Sequence, residues 1–222
     1  SPDLKVQVGS QTNAVNYRGF VGGYDHTLAN GSFNSGFGTV LGNNNTAFLS
    51  QSVLAGHQNN VASGSSSTAE TLQSSGVFGN LNTIPKSRSH LLVAGSQNTV
   101  NATHSFVVGN SNMINGVPIG TAATNSAAIG QLNNVASSVG WAVGYQNTSS
   151  GTRSLALGTG SRATNSDSTA LGRHNVTMAS NDVLAIGSGS DSSNRFTALR
   201  VTNDGSVILG RAQGDISMGN YQ

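Results

Sequence analysis

A short word, apolar-x-apolar-Gly, returns along this chain at a step of fourteen residues. It stands as Phe106-Val107-Val108-Gly109, Ala127-Ala128-Ile129-Gly130, Trp141-Ala142-Val143-Gly144, Leu155-Ala156-Leu157-Gly158 and Leu184-Ala185-Ile186-Gly187, with Thr169 opening a further copy that ends at Gly172. The repeat glycines are 9, 23, 42, 56, 79, 95, 109, 130, 144, 158, 172 and 187, so the steps are 14, 19, 14, 23, 16, 14, 21, 14, 14, 14 and 15. Fourteen is the base step and the longer ones are insertions. Three residues after the glycine comes Asn45, Asn59, Asn82, Asn98, Asn112, Asn133, Asn147 or Asn175, replaced elsewhere by Thr12, His26, Ser161 and Ser190. Two residues further on lies a small or apolar residue such as Leu28, Ala47, Val61, Ile84, Val100, Ile114, Val135 or Ala163. Each unit therefore reads as a strand, a Gly turn, an Asn-containing corner and a second short strand. Helix is a poor alternative, given the density of glycine and the lack of a persistent 3.6-residue apolar stripe.

A coil of two strands and two turns fits these residues. Gly tolerates positive φ at a corner, and Asn is the next most tolerant type. Alternation sends Leu155 and Leu157 to one face and Ala156 to the other. Twelve coils at a strand spacing of ~4.8 Å would make a rod of about 55 Å. Such a coil has too thin an interior to stand alone, and its outer apolar face needs a cover. Because every unit shares the pattern, another copy of the chain is the expected cover.

Composition supports order. Only 8% of the 222 residues are charged, against about 25% in ordinary domains, and there are 29 Gly, 3 Pro and no Cys. Disordered chains are rich in Pro and Glu, whereas the one Glu here is Glu70. The net charge of +2 comes from 10 basic and 8 acidic residues that are scattered, so no nucleic-acid partner is expected. No apolar run reaches the ~18–20 residues of a membrane span. The opening Ser-Pro-Asp leads us to expect a processed or expressed piece of something longer.

Residues 130–187 carry the clearest repeats, running through Trp141-Ala142-Val143-Gly144, Leu155-Ala156-Leu157-Gly158 and Thr169-Ala170-Leu171-Gly172. This stretch resembles the YadA-type head repeat, a likeness that extends over about residues 5–190 with degenerate units before 90. The resemblance implies an all-β fold, a homotrimer of left-handed parallel β-rolls. Residues 1–190 are then a roll with insertions, and 191–222 a C-terminal hairpin segment. Within the latter, two strands flank the turn Asn203-Asp204-Gly205. Residues 192–210 also resemble the segment found after such repeats in phage tail fibres, often just before a self-cleaving chaperone domain. On that likeness the chain would end at Gln222 because a chaperone was removed.

No catalytic set is evident, so an enzyme is not expected and neither is a cofactor or a bound metal. There is no His-Glu-x-x-His, no Gly-x-Ser-x-Gly and no Glu pair. The five His (26, 57, 90, 104 and 174) fall at different phases of the repeat, so they are not expected to converge on one rung. An axial His or Asp ring created by three-fold symmetry is the one metal alternative. The Asn series reads as a structural ladder rather than a ligand array. Recognition is expected in the insertions, since loops carry function. Residues 62–75 are Ser-rich, 113–122 hold Pro118, and 83–90 concentrate Lys86, Arg88 and His90. Near the start, Tyr17, Arg18, Tyr24, Asp25 and His26 make an aromatic-polar patch of the kind that binds sugars. Trp141 is either a stacking platform or trimer core, and its apolar slot favours core. Attachment is accordingly the leading function: a trimeric fibre segment of a phage tail or similar appendage, extracellular and bound to a cell-surface glycan or protein. The head of a bacterial trimeric autotransporter adhesin and a purely structural spacer are the alternatives.

Overall fold

The computed structural model describes residues 5–8, 13–15, 19–29, 38–61, 72–85, 88–115, 123–210 and 216–218. They form parallel β-coils with no helix among them. The chain divides into two compact units, residues 1–112 and 113–222.

In the first unit, strands Lys5–Val8, Gly19–Tyr24, Gly38–Asn43, Val53–His57, Gly76–Asn80, Leu91–Ser96 and Ser105–Asn110 lie side by side, all parallel. A second sheet of shorter strands contains Asn13–Val15, Thr27–Ala29, Thr46–Ser50, Asn60–Val61, Thr83–Ile84 and Thr99–Thr103. The repeat glycines stay in register across the longer sheet: Gly23 pairs Gly42, then Gly56, Gly79, Gly95 and Gly109. Insertions therefore do not disturb the stacking. The insertion after Val61 is shorter than its serine content suggests, because Leu72–Gln73 pairs with Leu49 and Ser50 and Leu72 is fully buried. Residues 72–75 thus belong to the roll.

The second unit repeats the plan. Ala127–Gln131, Trp141–Tyr145, Leu155–Thr159, Thr169–Arg173 and Asp182–Ser188 are parallel, and Met113–Asn115, Asn134–Val135, Thr148–Ser149 and Arg162–Ala163 make the shorter sheet. Direction then reverses. Thr197–Thr202 runs antiparallel to Asp182–Ser188, and Val207–Leu209 and Ile216–Met218 continue the meander. The turn at 203–206 is closed by Thr202 N–H donating to Ser206 O at 3.0 Å, and Gly205 takes φ 86°.

The glycines are fixed by close approach. At Gly95 a Cβ would lie 1.9 Å from Gly109 O, and at Gly144 it would lie 2.1 Å from Gly158 O. Asn does not supply the left-handed backbone expected of it. That conformation falls one residue earlier, at Asn44, Gln58, Leu81, Gln97, Ser111, Leu132 and Gln146, each with φ between 52° and 57°. The Asn at the next position is buried and serves the next coil. Asn59 Nδ2 donates to Asn45 Oδ1 at 3.0 Å and to Gly79 O at 2.8 Å, and Asn82, Asn98 and Asn112 extend the series. A burial cost on each side-chain amide is offset because its donor and acceptor are both used.

Alternation decides what faces in. Ala156 is fully buried while Leu157, one residue on, is 42% exposed. Interior columns in the first unit carry Val21, Val40, Leu54, Val77, Val93 and Val107 facing Leu28, Ala47, Val61, Ile84 and Val100. Those in the second carry Ala128, Ala142, Ala156, Ala170 and Ala185, with Val135, Ser149 and Ala163 opposite.

Candidate binding surface

Each coil presents three kinds of outer surface: the outward face of the longer sheet, the two corners, and the points where insertions leave. The longer sheet is apolar outside. Leu41, Val53, Phe78, Leu92 and Phe106 are each 37–41% exposed in the first unit. In the second, Trp141 is 48% exposed and stands in register with Leu155. Trp141 thus belongs to the outward apolar face and not to the interior of its own coil. Tyr145, four residues on in the same strand, is also exposed.

Insertions leave from one place in the coil. The extra residues of the longer steps follow Leu28, Val61, Ile84 and Ile114, buried residues of the shorter strands. All four departures are therefore on the shorter-strand side, and Tyr17, Arg18 and Lys86 lie outside the described residues.

The remaining candidates separate into surface and interior. Tyr24 and Asp25 are exposed at a corner, Asp25 with φ 56°. His26 is 1% exposed and cannot be a receptor contact, which corrects its place in the N-terminal patch. It takes the Asn position of its coil: its Nδ1 accepts from Asn45 N–H at 3.3 Å, and its Nε2 lies 3.3 Å from Gly22 O. Spacing alone held this signal, since 26 is three residues after Gly23.

Arg88 and His90 stay together, and the structure adds a partner that the sequence did not reveal. His104 stacks on His90, with ring centroids 4.6 Å apart and planes 5° apart. The two do not share a rung, but they lie on successive rungs with one ring over the other. Counted from the preceding glycine the two differ in phase, because extra residues lie between Gly79 and His90. Counted from the next glycine, both are five residues before it, at Gly95 and Gly109. Their corners stack accordingly, with His90 φ 56° and His104 φ 51°. The Arg88 guanidinium donates through Nη2 to Asn101 Oδ1 on the next coil. Gln51 and Ser74 take the same positive-φ corner in the two coils before.

The second unit puts an ion pair on this corner. Arg153 and Asp167 meet in a two-pronged contact at 2.5 and 2.7 Å. The Arg153 hydrogen bond holds the Asp167 carboxyl below its usual range and raises Arg153. In the C-terminal segment, Asp191 accepts from the Asn194 side chain and from the backbone N–H of Asn194 and Ser193, which holds its carboxyl far below the usual range. Its oxygens are fully engaged in that turn. No group of three His, Asp or Glu placed to hold a metal occurs among the described residues.

Two copies of the YadA head domain repeat match the chain, over residues 142–161 and 149–175. The match falls on coils with an Ala interior, Gly144, Gly158 and Gly172 in register, and Asn147 and Ser161 at the buried corner position. It ends before the antiparallel segment. Neither the curated proteins nor the solved structures compared with the chain give a significant match. YadA heads are trimeric β-rolls displayed outside the cell.

Proposed function

We propose that the chain is a homotrimeric attachment module of the adhesin-head type, displayed extracellularly, which binds a cell-surface receptor and catalyses no reaction. One observation carries this reading: the outward face of the longer sheet is apolar coil after coil. A soluble monomer rarely leaves so large an apolar surface open. Phe78, Leu92 and Phe106 on successive coils of the first unit, and Trp141 and Leu157 on successive coils of the second, are the composition of an interface core. Self-association with closed symmetry covers such a face, and the YadA head match supports three copies.

With the apolar face covered, corners and insertion points remain for a receptor. Binding by many weak contacts on three chains needs no deep pocket. A glycan is the favoured receptor class, because the available groups are amides, hydroxyls, exposed Tyr24 and a small basic cluster. The antiparallel strands Thr197–Thr202 and Val207–Leu209 keep a phage tail fibre as the second reading, since they resemble the segment that succeeds such repeats in fibres. Light scattering on the purified chain tests the trimer, and a monomer at micromolar concentration would refute it. Cell binding by the trimer, competed by soluble glycans, tests attachment; binding to no cell surface would leave the spacer alternative.

A further inference from the structure

We propose that the stacked His90–His104 pair, together with Arg88 on the same two coils, is an acidic-glycan subsite that binds the carboxylate or sulfate groups of a surface polysaccharide. The proposal rests on the attachment reading and names the ligand chemistry for it.

Geometry comes first. Parallel rings 4.6 Å apart present their edges side by side, so two imidazole N–H donors can be offered at one rung spacing. Both rings are exposed, and both are held in place by positive-φ corners that the coil stacking imposes. His90 N–H donates to Gln73 O at 3.1 Å and His104 N–H donates to Ser89 O at 3.0 Å, so the two backbones are fixed by successive rungs. Arg88 reaches from one coil to Asn101 on the next and adds a permanent positive charge to the same pair of coils.

Charge balance comes next. No Asp or Glu occurs between Glu70 and Asp167 in the sequence. The described elements packed against the two rings contribute Gln73, Ser74, Ser89, Thr103 and Asn101, none of them ionisable, and Arg88 is the charged group among them. Glu70 and Lys86, the nearest charged residues in sequence, lie outside the described residues. A bound carboxylate or sulfate would meet two ring edges and a guanidinium, with no carboxylate among the described neighbours to repel it. A neutral glycan gains nothing from this arrangement.

The test uses the full chain immobilised as purified, with dextran sulfate and polygalacturonate as probes and neutral dextran as control. Affinity is read at about pH 5.5 and about pH 8 at constant ionic strength, the interval over which histidine changes charge. The expected result is tighter binding of both acidic polymers at the lower pH and none of dextran. His90→Gln with His104→Gln should weaken acid-pH binding at least about tenfold and remove the pH dependence, the loss of two charge-assisted hydrogen bonds. Arg88→Gln should weaken binding at both pH values and keep the dependence. His57→Gln, on the other corner, should change neither. Equal binding of dextran, an unchanged double variant, or an equal effect from His57→Gln would each overturn the proposal. A melting curve matching the parent excludes misfolding, and should the double variant unfold, the single His104→Gln variant carries the same test. Cell attachment that survives the double variant sinks this subsite and leaves the attachment reading standing. Polymer binding without attachment to any cell does the reverse.

Discussion

The two units share a plan and differ in what fills their interiors. Both stack parallel coils on a glycine column, and both bury an Asn series at the first corner. The first fills its interior with Val, Leu and Ile. The second fills the same positions with Ala and closes the remaining space with hydroxyl groups: Ser137 Oγ donates to Gly151 O at 2.7 Å, Ser154 Oγ donates to the same carbonyl, and the Ser149 and Ser154 hydroxyls lie 2.7 Å apart. From Gly130 to Gly172 the second unit keeps a fourteen-residue step, and the YadA head match falls there. An insertion follows Ile114 in this unit, whereas the first unit holds those after Leu28, Val61 and Ile84. Backbone stacking is thus the shared constraint, and interior volume is free to vary so long as it varies along the whole column.

Substitutions in the glycine column should break this comparison by affecting both units alike. Gly95→Ala and Gly144→Ala each place a Cβ about 2 Å from the next coil's carbonyl oxygen, at φ 125° and 117°. No rotamer relieves a clash with backbone. We expect a loss on the order of 4 kcal/mol or more in either unit, read as denaturant midpoints at fixed protomer concentration. A much smaller loss in one unit would mean that its coils can slide apart.

The Asn series should rank next. Asn98→Ala and Asn147→Ala each leave buried carbonyl and amide groups unpaired, among them Gly109 O or Gly158 O. The expected cost is about 2–4 kcal/mol, from two or so unsatisfied groups. The second unit already holds a weaker rung, where Ser161 Oγ donates to Gly172 O at 2.9 Å but has no amide to pass on. Ser161→Asn should therefore stabilise it, which a rise in melting temperature would show.

Interior volume sharpens the contrast. Ile84→Ala opens a cavity in the first unit, at about 2–5 kcal/mol. Ala156→Val overfills the second, at about 1–3 kcal/mol. If Ala156→Val were neutral, the Ala interior would not be closely packed.

The fourteen-residue step, the two strands per coil and the Asn ladder were legible because each is a local pattern repeated in register. Alternation alone put Ala156 and Leu157 on opposite faces, and burial shows that Ala156 is the one turned inward. Two things were not legible. Left-handed backbone at Gln97 or Leu81 has no residue signature, because tertiary stacking imposes it on side chains that would not choose it. The His90–His104 stack was hidden by the extra residues before His90, which shift the count from one glycine but not from the next. Phase in an interrupted repeat has to be measured from the glycine that shares the strand. For the same reason His26 was readable as a ladder residue and was misplaced among the surface candidates: composition of a patch says nothing about which way each member points.

The smallest effect separates the corners of the two units. Where the first unit stacks His90 on His104, the second pairs Arg153 with Asp167, both more than half exposed. An exposed pair contributes little to stability in salt. Its sign is nevertheless fixed. The Asp167 carboxyl is held below its unfolded value by the Arg153 hydrogen bond, so the contribution is present above the ordinary carboxylate range and is lost as pH falls through the folded value. Asp167→Asn should leave the melting temperature at neutral pH almost unchanged, and 1 M salt should erase what difference remains. Below the carboxylate range the variant and the parent should melt together. The His90→Gln and His104→Gln pair should behave oppositely, changing ligand binding on acidification while leaving the melting curve of the free protein near the parent's. A large, salt-insensitive loss from Asp167→Asn would show that this corner, and not the interior, holds the Ala-filled coils together.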